Sequence, residues 1–264
     1  MKRRFLLLLP VLLALAPVPA LAEIATMPPA ASESGALRAA CDEMAAVVIS
    51  PDRQEAQVDK LLASMLAGMT ANDGSVGSLN AKYPGLKDTV GAAMRPVLLR
   101  HVFSVLPYYR SDIAALYASN LTLPEARRAS AFYRSAAFLH FANAANKQIN
   151  YKAVTGDALA DKDISAASVR ADIQQAGPKA AAEMSPAEKT ELMSFFGSPV
   201  GQKLMSLNPQ KLLIDTKWAN YSTPESEHEI QMAVAVAIRD HVAKKDPAMA
   251  EMMYAAIAKE TEKP

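Results

Sequence analysis

Apolar residues recur at three- and four-residue steps along most of the chain, the period of a helix face turned to a core. Val58, Leu61, Leu62, Met65, Leu66 and Met69 form the clearest run. Such runs alternate with short polar or proline- and glycine-containing breaks, and strand-like alternation is almost absent. The pattern predicts a helix over 36–49 and a second opened by Ser50-Pro51-Asp52. There serine caps, proline suits the first helical position and aspartate favours the positive helix end. Asn72-Asp73-Gly74 should end that helix, and Tyr83-Pro84-Gly85 should form a turn. The segment 86–106 contains Pro96, expected to kink or break it, and Pro107 should end it. Further helices are expected over 108–119 and 123–152, the latter stopped by Thr155-Gly156-Asp157. Another is expected over 166–175, before Gly177-Pro178. The last two should cover 223–244 and 247–259, broken at Asp246-Pro247. The fold class is therefore all-α, a multi-helix bundle of about nine helices.

One signature occurs twice, 63 residues apart. Thr122-Leu123-Pro124-Glu125 reads as a capping box, in which the hydroxyl caps the helix and the glutamate reaches back. Phe132-Tyr133 follows, then Ser135. Ser185-Pro186-Ala187-Glu188 is again a box, followed by Phe195-Phe196 and Ser198. The apolar positions Ala129 and Leu192 coincide too. A cap contributes about 1 kcal/mol, and losing a buried Phe costs roughly 3–5 kcal/mol, so each aromatic pair reads first as a core anchor. If the rings stack a ligand instead, the binding residues are Phe132, Tyr133, Phe195 and Phe196, with His140 beside the first pair. The repeat-like segments span about 108–152 and 175–222. The bundle over 36–264 is either one domain or two similar halves related by the 63-residue shift. A third box, Ser222-Thr223-Pro224-Glu225, lacks the aromatics.

These residues carry a family resemblance. Ser185-Pro186-x-Glu188 followed by Phe195-Phe196-x-Ser198-Pro199-x-Gly201-Gln202-Lys203 resembles the signature of domain of unknown function 2059, a family of exported bacterial proteins. The family pattern is a hydroxyl-x-x-Glu helix start, then Phe-Tyr-x-Ser/Thr-Pro-x-Gly. The first copy keeps Phe132-Tyr133-x-Ser135 but has Ala136 and Phe138 in place of proline and glycine. The resemblance implies helices and export, and no particular chemistry.

The amino terminus reads as a signal peptide over 1–22. Lys2, Arg3 and Arg4 precede an apolar run from Phe5 to Ala16, and Ala20-Leu21-Ala22 supplies small residues for cleavage before Glu23. The run is shorter than the roughly 20 residues of a spanning helix, and Pro10, Pro17 and Pro19 interrupt it. Residues 23–35 read as a flexible leader, rich in Pro, Ser and Ala. The expected location is the periplasm, with no membrane-spanning segment after cleavage.

Cleavage removes three basic residues and no acidic one, leaving 25 basic against 27 acidic, net −2. Such a chain lacks the positive field that nucleic-acid binding requires. Cys41 is the sole cysteine, so an internal disulfide is impossible. It lies at helical spacing from Leu37, Met44 and Val48 and reads as a small buried hydrophobe, the other option being a crosslinked dimer.

Candidate chemistry is sparse. His101, His140, His228 and His241 show no helical metal-ligand spacing, and His228-Glu229 leads to Met232 where a second histidine would stand. No phosphate loop, nucleophile elbow or cofactor motif occurs. Catalytic, metal and cofactor residues are therefore assigned to none. Export and helices favour a binding or interaction module of the bacterial cell envelope, with a protein, lipid or cell-wall partner. The alternatives are an enzyme assembled from distant helices, and an oligomeric stress or structural protein using Cys41 or Met249, Met252 and Met253. A deep polar pocket gathering His140 or His101 with carboxylates marks the enzyme. A shallow apolar groove marks the binding module.

Overall fold

The computed structural model of the protein describes residues 31–72 and 74–261. The signal peptide read over 1–22, the leader up to residue 30 and Asp73 lie outside the described residues. Among the described residues fourteen α-helices follow one another and no strand occurs. They outnumber the nine or so expected because the span read over 123–152 is broken and short helices form outside the spans read. The fold is an all-α bundle.

The axis of the bundle is α4 (Leu86–Ala118), a helix of 33 residues and thus about 50 Å long. It starts at Gly85, whose φ of +86° suits glycine. Neither Pro96 nor Pro107 ends it, contrary to the expectation of a stop at Pro107. Both prolines, and the residues four positions before them, Ala92 and Phe103, are exposed. The carbonyls that the prolines leave without a helical donor therefore lie on the wet side, where water can satisfy them. The opposite face buries Met94, Leu98, Val102, Val105, Tyr109 and Ile113. Each such side chain contributes roughly 1.5–3 kcal/mol.

α1 (Ala31–Val48) begins within the segment read as a flexible leader, whose residues 31–35 are helical, and lays Leu37, Cys41, Met44 and Val48 against α4 and α5 (Leu123–Tyr133). Its last carbonyls are taken by two guanidinium groups. Arg53 donates to Val47 and Val48 O at 2.7 and 3.1 Å, and Arg110 donates to Ile49 O at 2.6 and 2.8 Å. α2 (Pro51–Asn72) splits its inward surface. Val58, Leu61, Leu62 and Met65 enter the core, while Arg53, Gln57 and Ser64 bond Asn143, Asn146 and Thr155. α3 (Gly74–Lys82) follows.

The span read as one helix over 123–152 is instead α5, α6 (Ala136–Gln148) and the start of α7 (Lys152–Leu159). Ser135 caps α6, so the chain turns at Arg134–Ser135 without proline or glycine. Gly156 lies inside α7 rather than stopping a helix, and Asp172 of α8 (Ala166–Ile173) accepts from Ala153 and Val154 N–H at 2.9 Å. Gly177-Pro178 stands in the first turn of α9 (Ala176–Glu183), a position that proline suits. Then come α10 (Pro186–Phe196), α11 (Pro199–Ser206) and α12 (Asn208–Ala219). The third box is registered one residue later than read: Thr223 caps α13 (Pro224–Val242) and Ser226 reciprocates. α13 and α14 (Pro247–Thr261) pack together, and α13 also lies along α4. The buried apolar side chains form one continuous core from Leu37 to Ala250.

Candidate functional site

The two copies of the signature fold alike. In each, the glutamate carboxylate accepts from the backbone N–H and the hydroxyl of the capping residue. The distances are 2.7 and 3.0 Å for Thr122–Glu125, and 2.9 and 2.8 Å for Ser185–Glu188. The second serine of the signature is also a cap. Ser135 (φ −67°, ψ 150°) accepts from Phe138 N–H, and Ser198 (φ −75°, ψ 159°) from Gly201 N–H, both at 3.3 Å. The motif is thus one helix, a two-residue break and a second helix.

The copies differ where the first lacks glycine. A Cβ at Gly201 would stand 2.1 Å from the Phe195 carbonyl oxygen and 2.6 Å from Phe196 Cα. The second copy needs glycine for this close approach. The equivalent Phe138 puts its ring on Tyr133 and Phe132, with centroids 4.5 and 5.3 Å away.

All five candidate binding residues gather where the copies meet. Phe132 and Phe195, the same position in each copy, stack at 3.7 Å and 7° from parallel. Phe196 meets Phe132 edge-on at 5.5 Å, and Tyr133 meets Phe195 at 6.4 Å. Phe132, Tyr133 and Phe195 are buried, and Phe196 is half-buried. Their faces are occupied by one another, the arrangement of a core.

Two polar pairs flank the rings and are also equivalent. Lys203 donates to Glu125 at 2.9 and 3.2 Å, and His140 Nδ1 lies 2.8 Å from Glu188 Oε1. Counted in each copy, His140 and Lys203 are the same position. Each capping glutamate therefore takes a basic partner from the other copy. The bond to His140, then those to the Ser185 backbone and hydroxyl, hold the Glu188 carboxyl at about 2, well below its ordinary 4.5.

Beside the junction Tyr117, Tyr133, Phe138, Phe196 and Lys211 help to enclose a cavity of about 40 Å³. Behind it, buried Lys211 pairs with buried Asp215 at 2.7 Å, and Tyr109 donates to Asp215 at 2.6 Å. Burial pushes the Asp215 carboxyl up, against the pull of Lys211 and Tyr109. Sequence reasoning missed this trio. The signal was a Lys and an Asp at i, i+4 among the apolar positions of α12, whereas nothing local points to Tyr109.

The histidines do not converge. His140 is exposed, and His101 is buried, with Nε2 3.3 Å from the Tyr221 carbonyl and burial pushing its pKa down. His241 bridges α13 to Thr89 at 2.9 Å and to the Pro84 carbonyl at 3.1 Å. No group of three or more His, Cys, Asp or Glu among the described residues is placed to hold a metal ion.

The larger concavity lies between α4 and α13. It is shallow and open, with a volume of about 600 Å³, and is lined by Ala93, Val97, Met232, Ala233, Val236 and Ala237. Glu229 and Asp240 stand at its rim, and Arg100 pairs with Glu229. No described helix is long and apolar enough to cross a membrane. No protein-family model matches the chain, and no curated protein or solved structure matches it.

Proposed function

We propose that the chain is an exported binding or interaction module of the bacterial cell envelope, acting in the periplasm. The observation that carries this reading is the shallow apolar groove between α4 and α13. Val97 and Ala237 at its base are buried, while Met232, Ala233 and Val236 keep part of their surface in water. Apolar surface left wet along a groove favours a partner with an apolar face. The rim charge on Glu229 is already met by Arg100. The groove brings neither His101 nor His140 together with a carboxylate, and this favours binding over catalysis.

The same reading takes the chain as a relative of domain of unknown function 2059. Two features give that signature a physical reason: the Ser198 cap that opens α11, and the close approach at Gly201.

Native mass spectrometry of protein released gently from the periplasm tests the proposal. The expected result is the mass of the chain without residues 1–22 together with a retained partner, the partner being lost in Val236→Asp. A bare chain from the unaltered protein contradicts the binding reading, and an uncleaved mass contradicts the export reading.

A further inference from the structure

Four rings, two buried and two exposed, meet at the seam between α4 and α12, further along α4 than the groove. Tyr108 lies nearly parallel to Trp218, with centroids 6.4 Å apart and 19° between planes. His101 lies nearly parallel to Tyr221 at 6.2 Å and 21°. Tyr221 also leans on Trp218 at 5.2 Å. Tyr108 is 65% exposed and Tyr221 40%, while Trp218 beneath them is 7% exposed. Lys217 and Asp112 form the polar edge. The ammonium lies 2.7 Å from Asp112 Oδ2 and 4.8 Å from the Trp218 ring centre, and Trp218 Nε1 donates to the same carboxylate at 2.9 Å.

We propose that this seam binds an oligosaccharide, with Tyr108 and Tyr221 each taking the apolar face of a different pyranose of the chain. The C–H bonds on one face of a pyranose stack on aromatic rings. Its edge hydroxyls each require both a donor and an acceptor, which Lys217 and Asp112 supply as neighbours. Two exposed tyrosines beside a buried tryptophan offer amphipathic ring surface, as such recognition requires. The charges of Lys217 and Asp112 cancel, which suits a neutral ligand. A proline-rich peptide, the other common partner of exposed aromatic rows, would seek the indole N–H for its carbonyl, and here Asp112 already holds that donor. The proposal does not depend on the α4/α13 groove.

Trp218 is the sole tryptophan of the chain, so its fluorescence and its indole N–H resonance both report on this seam. The probes are chitotetraose, cellotetraose and maltotetraose, with decaproline as the peptide competitor. At least one sugar should give a saturable response with a Kd of about 1 mM or tighter. That affinity should weaken about tenfold in Tyr108→Ala and in Tyr221→Ala. Met193→Ala, an exposed residue of α10, should bind as the unaltered chain does. Tyr108 is exposed, so its variant should keep the thermal transition of the parent. The proposal is overturned by silence of both readouts with all three sugars, by a response to decaproline alone, or by sugar binding indifferent to Tyr108→Ala.

Discussion

Phe132 lies flat on Phe195, with ring centroids 3.7 Å apart, and the two are the same position counted in each copy of the repeated signature. Like meeting like is the mark of a self-complementary contact, usually made between two chains. Here it is made within one. The flanking contacts come in equivalent pairs for the same reason: Glu125 with Lys203 and Glu188 with His140. Phe132 against Phe196 likewise answers Phe195 against Tyr133.

Gly201→Ala tests why the second copy keeps its glycine. The new methyl would meet backbone atoms at 2.1 and 2.6 Å, which cannot move aside as a flexible side chain can. Overpacking of this kind costs about 1–3 kcal/mol or more. Urea unfolding should show the loss, and a variant as stable as the parent would contradict the close approach of α10 and α11.

The Glu188 pair predicts a pH dependence. Its carboxyl is held at about 2 in the fold against an ordinary 4.5. A carboxyl depressed by folding stabilises above its unfolded pKa and stops doing so as it protonates. The contribution is therefore full above pH 4.5 and fades as pH falls toward 2. Glu188→Gln should lower the melting temperature above pH 4.5, and the difference from the parent should vanish near pH 2. A difference independent of pH would contradict the pairing.

The helices and the repeat were legible because caps, prolines and apolar periods are local. Thr122, Ser185 and Glu188 announce helix starts with no knowledge of the rest of the chain. The break at Ser135 was missed because Ala136 and Phe138 are ordinary helix residues. The stop read at Pro107 failed because the affected carbonyl lies on the exposed side of α4, which only packing decides. The candidate aromatics were visible as pairs, but not that Phe132 would meet Phe195. One signal did exist: at the 63-residue shift, His140 falls on Lys203 and Glu125 on Glu188. Tyr108 and Trp218, 110 positions apart, gave none.

The Lys211–Asp215 pair sits in the core, where removing one partner takes the counter-charge from the other. Asp215→Ala should cost about 3–5 kcal/mol in urea unfolding. Adding Lys211→Met should recover much of that loss, because the charge left behind is removed as well. Additive losses would contradict the pairing of the two charges.

Cys41 is fully buried, and burial first, then the neighbouring Asp42 carboxylate, pushes its thiol up to about 11. The nucleophilic thiolate is therefore absent at neutral pH. Native protein should resist a thiol-labelling reagent and run as a monomer in non-reducing electrophoresis, and labelling should proceed in urea. Rapid native labelling, or a disulfide dimer, would contradict this burial.

The junction of the two copies is tested most directly by a double-mutant cycle in urea, with Phe132→Leu, Phe195→Leu and both together. Stacked rings predict a coupling of about 0.5–1.5 kcal/mol, so the second substitution should cost less once the first is made. Losses that add within about 0.3–0.5 kcal/mol would mean that the two rings do not touch, and the pairing of the copies would fall with them.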